Sequence, residues 1–263
     1  MKKESKIRQE TAGEGDPVCI ERRVIAIIQA RLGSTRLPGK VLRDLAGAPM
    51  LARVVSRCRR AATLDEVVVA TTTLSRDDPL VELCRANAWL CFRGPEDDVL
   101  DRYYQAALHS RAEVVVRITS DCPLLEPEII DLTVKTFLGQ RSLDYAGNSL
   151  PPRTFPRGLD VEVFSFEALA RAWREDANPA WREHVTPYVY RHPEKFRLHA
   201  VVNEQDLSFM RWTVDTAADL AFVRKIYEHF GHDGFSWREV LQLLEQHPEW
   251  LEINRHVIQK MVA

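Results

Sequence analysis

The chain has 263 residues, 45% hydrophobic and 28% charged, with a net charge of −2. That is enough for one large domain or two small ones with a substantial core. The near balance of charge excludes a chain-wide polyanion binder, so no nucleic-acid partner is expected and any anion site is local. No apolar run reaches the roughly 18 residues a membrane span needs.

The first residues, "MKKESKIRQETAGEGDP", carry no apolar signal core, and residues 1–22 read as a flexible extension. Five scattered cysteines (Cys19, Cys58, Cys84, Cys91, Cys122) form no C-x-x-C pair, which favours a reducing, cytoplasmic setting over disulfides or a zinc knuckle. "RRVIAIIQA" is a β-branched run of the kind buried on both faces of a sheet. A glycine-bearing loop follows, then Pro49 opens "MLARVVSRCRRAATL" with helical spacing. "DEVVVATTT" is a second strand, "SRDDPLVELCRANA" a helix, "WLCFRG" a third strand, and "EDDVLDRYYQAALHS" a helix with acids in its first turns. "AEVVVRITSDCPLL" is a fourth strand running into a loop, and "EPEIIDLTVKTFL" a helix.

This alternation predicts an α/β fold, a mainly parallel sheet with helices on both faces. After about Gln140 the rhythm breaks. "PPRTFPRG" is a proline-rich turn, "LDVEVFSF" a strand, "FEALARAWRE" a helix, and "REHVTPYVYRH" an irregular helical stretch. "FRLHAVV" and "FMRWTVD" read as strands. "TAADLAFVRKIYEHF" is a helix with Thr216 and Asp219 spaced as a capping box, and "SWREVLQLLEQHPEW" a terminal helix expected at the periphery. The organisation expected is one domain over 23–235, an inserted acceptor or dimerisation subregion at about 140–205, and a helical tail over 236–263.

"QARLGSTRLPGK" is the most informative stretch. In open α/β sheets ligands sit at the carboxyl ends of the strands, where this loop lies. Gly33 and Gly39 let backbone N–H groups approach an anion, and Arg31, Arg36 and Lys40 supply charge suited to phosphate. It is not a P-loop: five residues separate the glycines and Val41 follows the lysine. A solvated basic turn is the competing reading. Asp121, just past the fourth strand, and Asp215, between a strand and a helix, are placed to hold Mg²⁺, which takes one or two carboxylates and completes its shell from water and phosphates. Each aspartate alone reads better as a cap, and only their joint appearance beside the basic loop favours metal. Convergence of all three segments decides between the readings.

Other candidates have plainer readings. Cys122 has no partner base to make it a nucleophile. His229 and His232 flank Gly231 at a helix end and read as a cap. Asp97, Asp98, Asp101 and Arg102 sit near a helix start, Arg153 and Arg157 in the proline-rich turn, and Glu183 and His184 on a helix surface.

The stretches "QARLGSTRLPGKVL", "LDEVVVATTT", "FRGPEDDVLDRYYQAA", "VVVRITSDCPLL", "RTFPRGLDVEVFSFEAL", "REHVTPYVYRHPEKF" and "MRWTVDTAADL", in this order, resemble the spore-coat polysaccharide cytidylyltransferase family (SpsF type), which is similar to the CMP-sugar synthetases. The resemblance covers Val24 to Phe230. It implies a nucleotide-diphospho-sugar transferase (Rossmann-like) fold, a three-layer sandwich with a mainly parallel mixed sheet. It also implies transfer of CMP from CTP to an anionic sugar or phosphorylated small acceptor, with Mg²⁺ and release of pyrophosphate, in cell-surface polysaccharide precursor synthesis by a homodimer. By resemblance, Arg31 and Lys40 hold the triphosphate and Asp121 and Asp215 the Mg²⁺, and these four carry the catalysis. Ala30, Gly33, Ser34, Thr71, Gly94, Asp98 and Arg102 fall on the nucleotide side, and Arg157, Glu162, Glu183 and His184 on the acceptor side. Ser120 stands where the pattern has glycine, and Ala217 and Ala218 where it has Pro-Glu. Two rivals are a glycosyltransferase of related fold, disfavoured because "SDCP" lacks a D-x-D, and a non-catalytic nucleotide-binding regulator.

Overall fold

The computed structural model describes residues 22–140 and 142–259, so the first 21 residues, with Cys19 and most of the expected extension, lie outside it. The sequence folds around seven strands: β1 (Val24–Gln29), β2 (Glu66–Thr72), β3 (Leu90–Gly94), β4 (Val114–Thr119), β5 (Tyr145–Gly147), β6 (Glu162–Ser165) and β7 (Leu198–Ala200). Their order across the sheet is β3-β2-β1-β4-β6-β5-β7. The first four run parallel, β6 runs antiparallel to both β4 and β5, and β7 is parallel to β5. The stretch expected as a subregion at about 140–205 thus adds three strands to the same sheet.

The helices are α1 (Met50–Cys58), α2 (Asp78–Ala86), α3 (Val99–His109), α4 (Pro127–Leu138), α5 (Phe166–Glu175), α6 (Pro179–His184), α7 (Pro187–Tyr190), α8 (Ala217–Phe230) and α9 (Trp237–Gln246). Alternation along β1 divides the core. Val24, Ala26 and Ile28 pack under α1, α2, α4, α8 and α9. Ile25 and Ile27 pack under α3, α5 and α7. Because both faces are covered, β1 reads as an unbroken apolar run, as buried parallel strands do. The result is the expected three-layer α/β sandwich.

Local chemistry sets the helix ends. The Thr216 hydroxyl accepts from Asp219 N–H while the Asp219 carboxylate takes the Thr216 N–H, so the expected capping box starts α8, and Gly231 at φ 69° ends it. Two expectations need correction. "FMRWTVD" forms no strand. Its backbone makes one bridge, between Arg211 and Arg157, because its remaining bonds go to loops rather than to a ladder. The terminal helix is not peripheral. Trp237, Val240, Leu243 and Leu244 of α9 are buried in the larger core. The fully buried Arg57 of α1 binds this region from below, donating to Tyr227 Oη at 3.1 Å, to the Phe235 carbonyl at 3.1 Å and to Asp233 Oδ1 at 3.2 Å.

Candidate active site

β1 and β4 are parallel neighbours in register, Gln29 opposite Thr119, so the loops that leave them emerge side by side. β6 is antiparallel to β4, so the segment that enters it, 157–161, arrives at that same edge. The segment 210–215 is then stitched across by backbone bonds. Arg157 N–H donates to Met210 O at 2.9 Å, Trp212 N–H to Arg157 O at 2.6 Å, and Val214 N–H to Asp121 O at 2.8 Å. Gly158, at φ +107°, permits this: a Cβ there would lie 2.5 Å from the backbone of Trp212 and Thr213. Leu37 and Val41 bury themselves in the core and anchor the 30–40 loop, whose turn uses Gly39 at φ 64°.

These four segments enclose a cavity of about 560 Å³. At its centre Lys40 Nζ donates to Asp121 Oδ2 at 2.9 Å, Asp215 Oδ1 at 2.8 Å and the Val214 carbonyl at 3.0 Å. The two carboxylates, 94 positions apart in sequence, therefore face one point. Asp215 is further held through Oδ2 by Arg36 at 3.1 Å and Arg211 at 2.9 Å. Arg211 is fixed in turn by Asp219, through Oδ1 at 2.9 Å and Oδ2 at 3.1 Å, and Asn254 Nδ2 bridges Arg211 O and Asp219 Oδ1 at 2.9 and 3.0 Å.

The electrostatics follow. Burial pushes the Asp121 carboxyl up, but the Lys40 charge and hydrogen bonds from Thr119 and Lys40 outweigh it and hold its pKa at about 2. Burial likewise works to lower the Lys40 pKa, and the two aspartates together raise it above its ordinary value. Both groups are ionised at neutral pH. Cys122 lines the cavity, but burial and then the Asp121 charge push its thiol well up, so it is no nucleophile. Burial and the neighbouring Arg117 lower His184, which is neutral at pH 7. Arg157 makes no salt bridge among the described residues; burial and the Arg153 charge lower its pKa against the opposing pull of Asp160, whose carboxylate is already bound by Arg153.

Of the residues that the resemblance assigned to nucleotide, metal or acceptor, Ala30, Arg31, Gly33, Ser34, Lys40, Arg102, Asp121, Arg157, Glu183, His184 and Asp215 line this cavity, as does Arg36 of the basic loop. Four do not. Thr71 is fully buried inside β2. Gly94 ends β3 and packs against Arg102, whose Cγ would lie 3.0 Å from an added Cβ. Asp98 caps α3 and pairs with Arg182 at 2.7 Å. Glu162 is 5% exposed and saturated by Arg117, Tyr145 and Thr186, so it holds Arg117 rather than facing the cavity. Sequence reasoning missed Arg117, Asp160 and Thr213 on the walls and Arg211 behind Asp215. A charge inside the apolar run "VVVRIT" was a signal for Arg117. Nothing local marked Arg211.

Residues 25–247 match the cytidylyltransferase family. The spore coat polysaccharide biosynthesis protein SpsF of Bacillus subtilis (strain 168) is 33% identical over 235 residues, 86% of this chain and 95% of that protein. A 3-deoxy-manno-octulosonate cytidylyltransferase of Anaeromyxobacter dehalogenans (strain 2CP-C) is 44% identical over 182 residues, 64% of this chain and 74% of that protein. The solved structure of a cytidylyltransferase from Leptospira borgpetersenii superposes with a TM-score of 0.84 at 33% identity, covering 91% of this chain and 100% of that one. With a matched span that includes the 30–40 loop and both aspartates, the chain belongs to the cytidylyltransferase family and is a nucleotidyltransferase.

Proposed function

We propose that this enzyme transfers CMP from CTP to an anionic sugar or phosphorylated small acceptor, releases pyrophosphate, and depends on Mg²⁺. The observation that carries the reading is the meeting of Lys40, Asp121 and Asp215 at one point in a cavity whose walls hold six cationic side chains against four carboxylates. Names of relatives support the setting: one is a spore coat polysaccharide biosynthesis protein and one a sugar-acid cytidylyltransferase. Synthesis of a cell-surface polysaccharide precursor is the corresponding role, and the proposal includes a homodimer.

Arg31, Arg36 and Lys40 bind the triphosphate and stabilise the charge that develops on departing pyrophosphate. All three Lys40 donors are in use, so it meets a phosphate oxygen by releasing one of its present acceptors. Arg157, a cavity cation with no direct salt bridge among the described residues, holds the acceptor's anionic group. In-line attack of an acceptor oxygen on the α-phosphorus then depends on positioning.

Asp121 and Asp215 converge on one point, taken here by the Lys40 ammonium, and such a carboxylate pair fits Mg²⁺ once Lys40 turns to a phosphate; no cluster of three or more His, Cys, Asp or Glu side chains forms a protein cage among the described residues. Asp121 and Asp215 would hold the ion, which supplies Lewis-acid polarisation of the phosphate.

A pyrophosphate-release screen tests the reading: the four nucleoside triphosphates with Mg²⁺ against 3-deoxy-manno-octulosonate, N-acetylneuraminate, glucose 1-phosphate and glycerol 3-phosphate. Release is expected with CTP and at least one acceptor. Asp121→Asn and Asp215→Asn are expected to lose about 100-fold or more in turnover with the fold retained by circular dichroism. Wild-type turnover in both variants would remove the assignment of the two acids.

A further inference from the structure

Between α6 and α7 the chain makes a turn that few residues accept. Val185 lies at φ 72° and ψ −56°. The Thr186 N–H donates to the His184 carbonyl, two residues back, at 2.9 Å. This is the positive-φ form of the γ-turn, rare and strained, and a β-branched residue there is an outlier. Such backbone persists only where its surroundings over-determine it. Here they do. The Val185 side chain is 1% exposed in the core under α3 and α5. The Thr186 hydroxyl donates to Glu162 Oε1 at 2.7 Å, and the same carboxylate holds Tyr145 and Arg117. On the other side of the turn, Glu183 accepts from Arg31 Nη2 at 3.0 Å. Glu183 and His184 both line the cavity, as do Arg31 and Arg117.

We infer that Val185 is a positioning residue for the reaction: its strained turn aims Glu183 and His184 into the cavity and fixes the acceptor wall they form with Arg117. The inference rests on the cytidylyl transfer proposed above. The acceptor is the substrate whose fit depends most on the turn; CTP shares the dependence only through Arg31, which Glu183 holds at 3.0 Å. Lys40 and Arg36 are held by the aspartates and stand independently of it. α6 as far as Arg182 is secured separately, by the Asn178 cap and the pairing of Arg182 with Asp98. A relaxed turn therefore frees the end of α6 that carries Glu183 and His184.

Three variants test this, using pyrophosphate release with the acceptor that wild type turns over best. Val185→Gly removes the strain, because glycine adopts this conformation freely. Thr186→Val removes the hydroxyl that ties the turn to Glu162. Val189→Ala, in α7, thins the same core and leaves the turn alone. Val185→Gly is expected to raise the acceptor KM at least tenfold, with a smaller rise in the CTP KM, since Lys40 and Arg36 keep their places and only Arg31 loses its partner. Thr186→Val is expected to move in the same direction and decides the matter alone if Val185→Gly fails to fold. Val189→Ala is expected to lower Tm and leave both KM values unchanged. An acceptor KM within twofold of wild type in Val185→Gly and Thr186→Val overturns the inference. So does an equal rise in Val189→Ala, which would make the effect one of stability. Wild type turning over no acceptor at all overturns the proposed function itself, and the inference with it.

Discussion

Lys40 has three N–H donors and directs all of them at Asp121, Asp215 and the Val214 carbonyl. The ammonium holds two acids together that would otherwise repel. The depressed pKa of Asp121, about 2, is the thermodynamic trace of that arrangement. An acid whose folded pKa lies below its unfolded value of about 3.9 stabilises the fold above that value and loses the contribution as pH falls through the folded one. In urea unfolding, the stability gap between wild type and Asp121→Asn is expected to shrink by on the order of 2 kcal/mol between pH 5 and pH 2. A gap independent of pH would show that Lys40 does not hold Asp121. Single residues also mark where reading the sequence stopped. Asp121 and Lys40 were legible because one follows a strong strand and the other sits in a loop crowded with charge; Asp215 was found at the end of a stretch that alternates like a strand and is not one. Arg211 was not, because it acts through Asp219 and Asn254, residues whose proximity only the fold creates.

Among the elements, β1 to β4 were readable because burial on both faces writes them as β-branched runs. The three-residue β5 was missed, since Tyr145-Ala146-Gly147 is too short to show a period. The stretch 209–215 was misread because it alternates like a strand while its backbone bonds go to Arg157 and Asp121. That pairing depends on Gly158. Gly158→Ala places a methyl group 2.5 Å from the facing backbone at a φ of +107°, so neither side can yield cheaply. The expected outcome is a loss of about 3 kcal/mol or more, visible as a fall in Tm, together with lost turnover as Asp215 moves away from Asp121. Retention of both would show that the 210–215 segment is not held there.

For the whole molecule, the C-terminal portion is part of the body that carries the site. Arg57, fully buried, links α1 to the α8–α9 connection, and Asn254 reaches the Arg211–Asp219 pair behind Asp215. Arg57→Met leaves Asp233 and two carbonyls short of their donor, an expected cost of about 3–5 kcal/mol. Unfolding should remain a single transition by fluorescence and circular dichroism, since both cores share one sheet; separate transitions would show that the C-terminal portion folds by itself. One consequence follows from the reversed direction of β6. The chain entering it supplies one rim of the cleft, and the chain leaving β1 and β4 supplies the other. Stretch 149–153 lies between β5 and the cavity rim without building the central ladder, so it can be lengthened, shortened or exchanged while the phosphate-handling half keeps its frame. A scaffold divided in this way is suited to retooling: new cargo is reached by grafting loops, with the chemistry left in place.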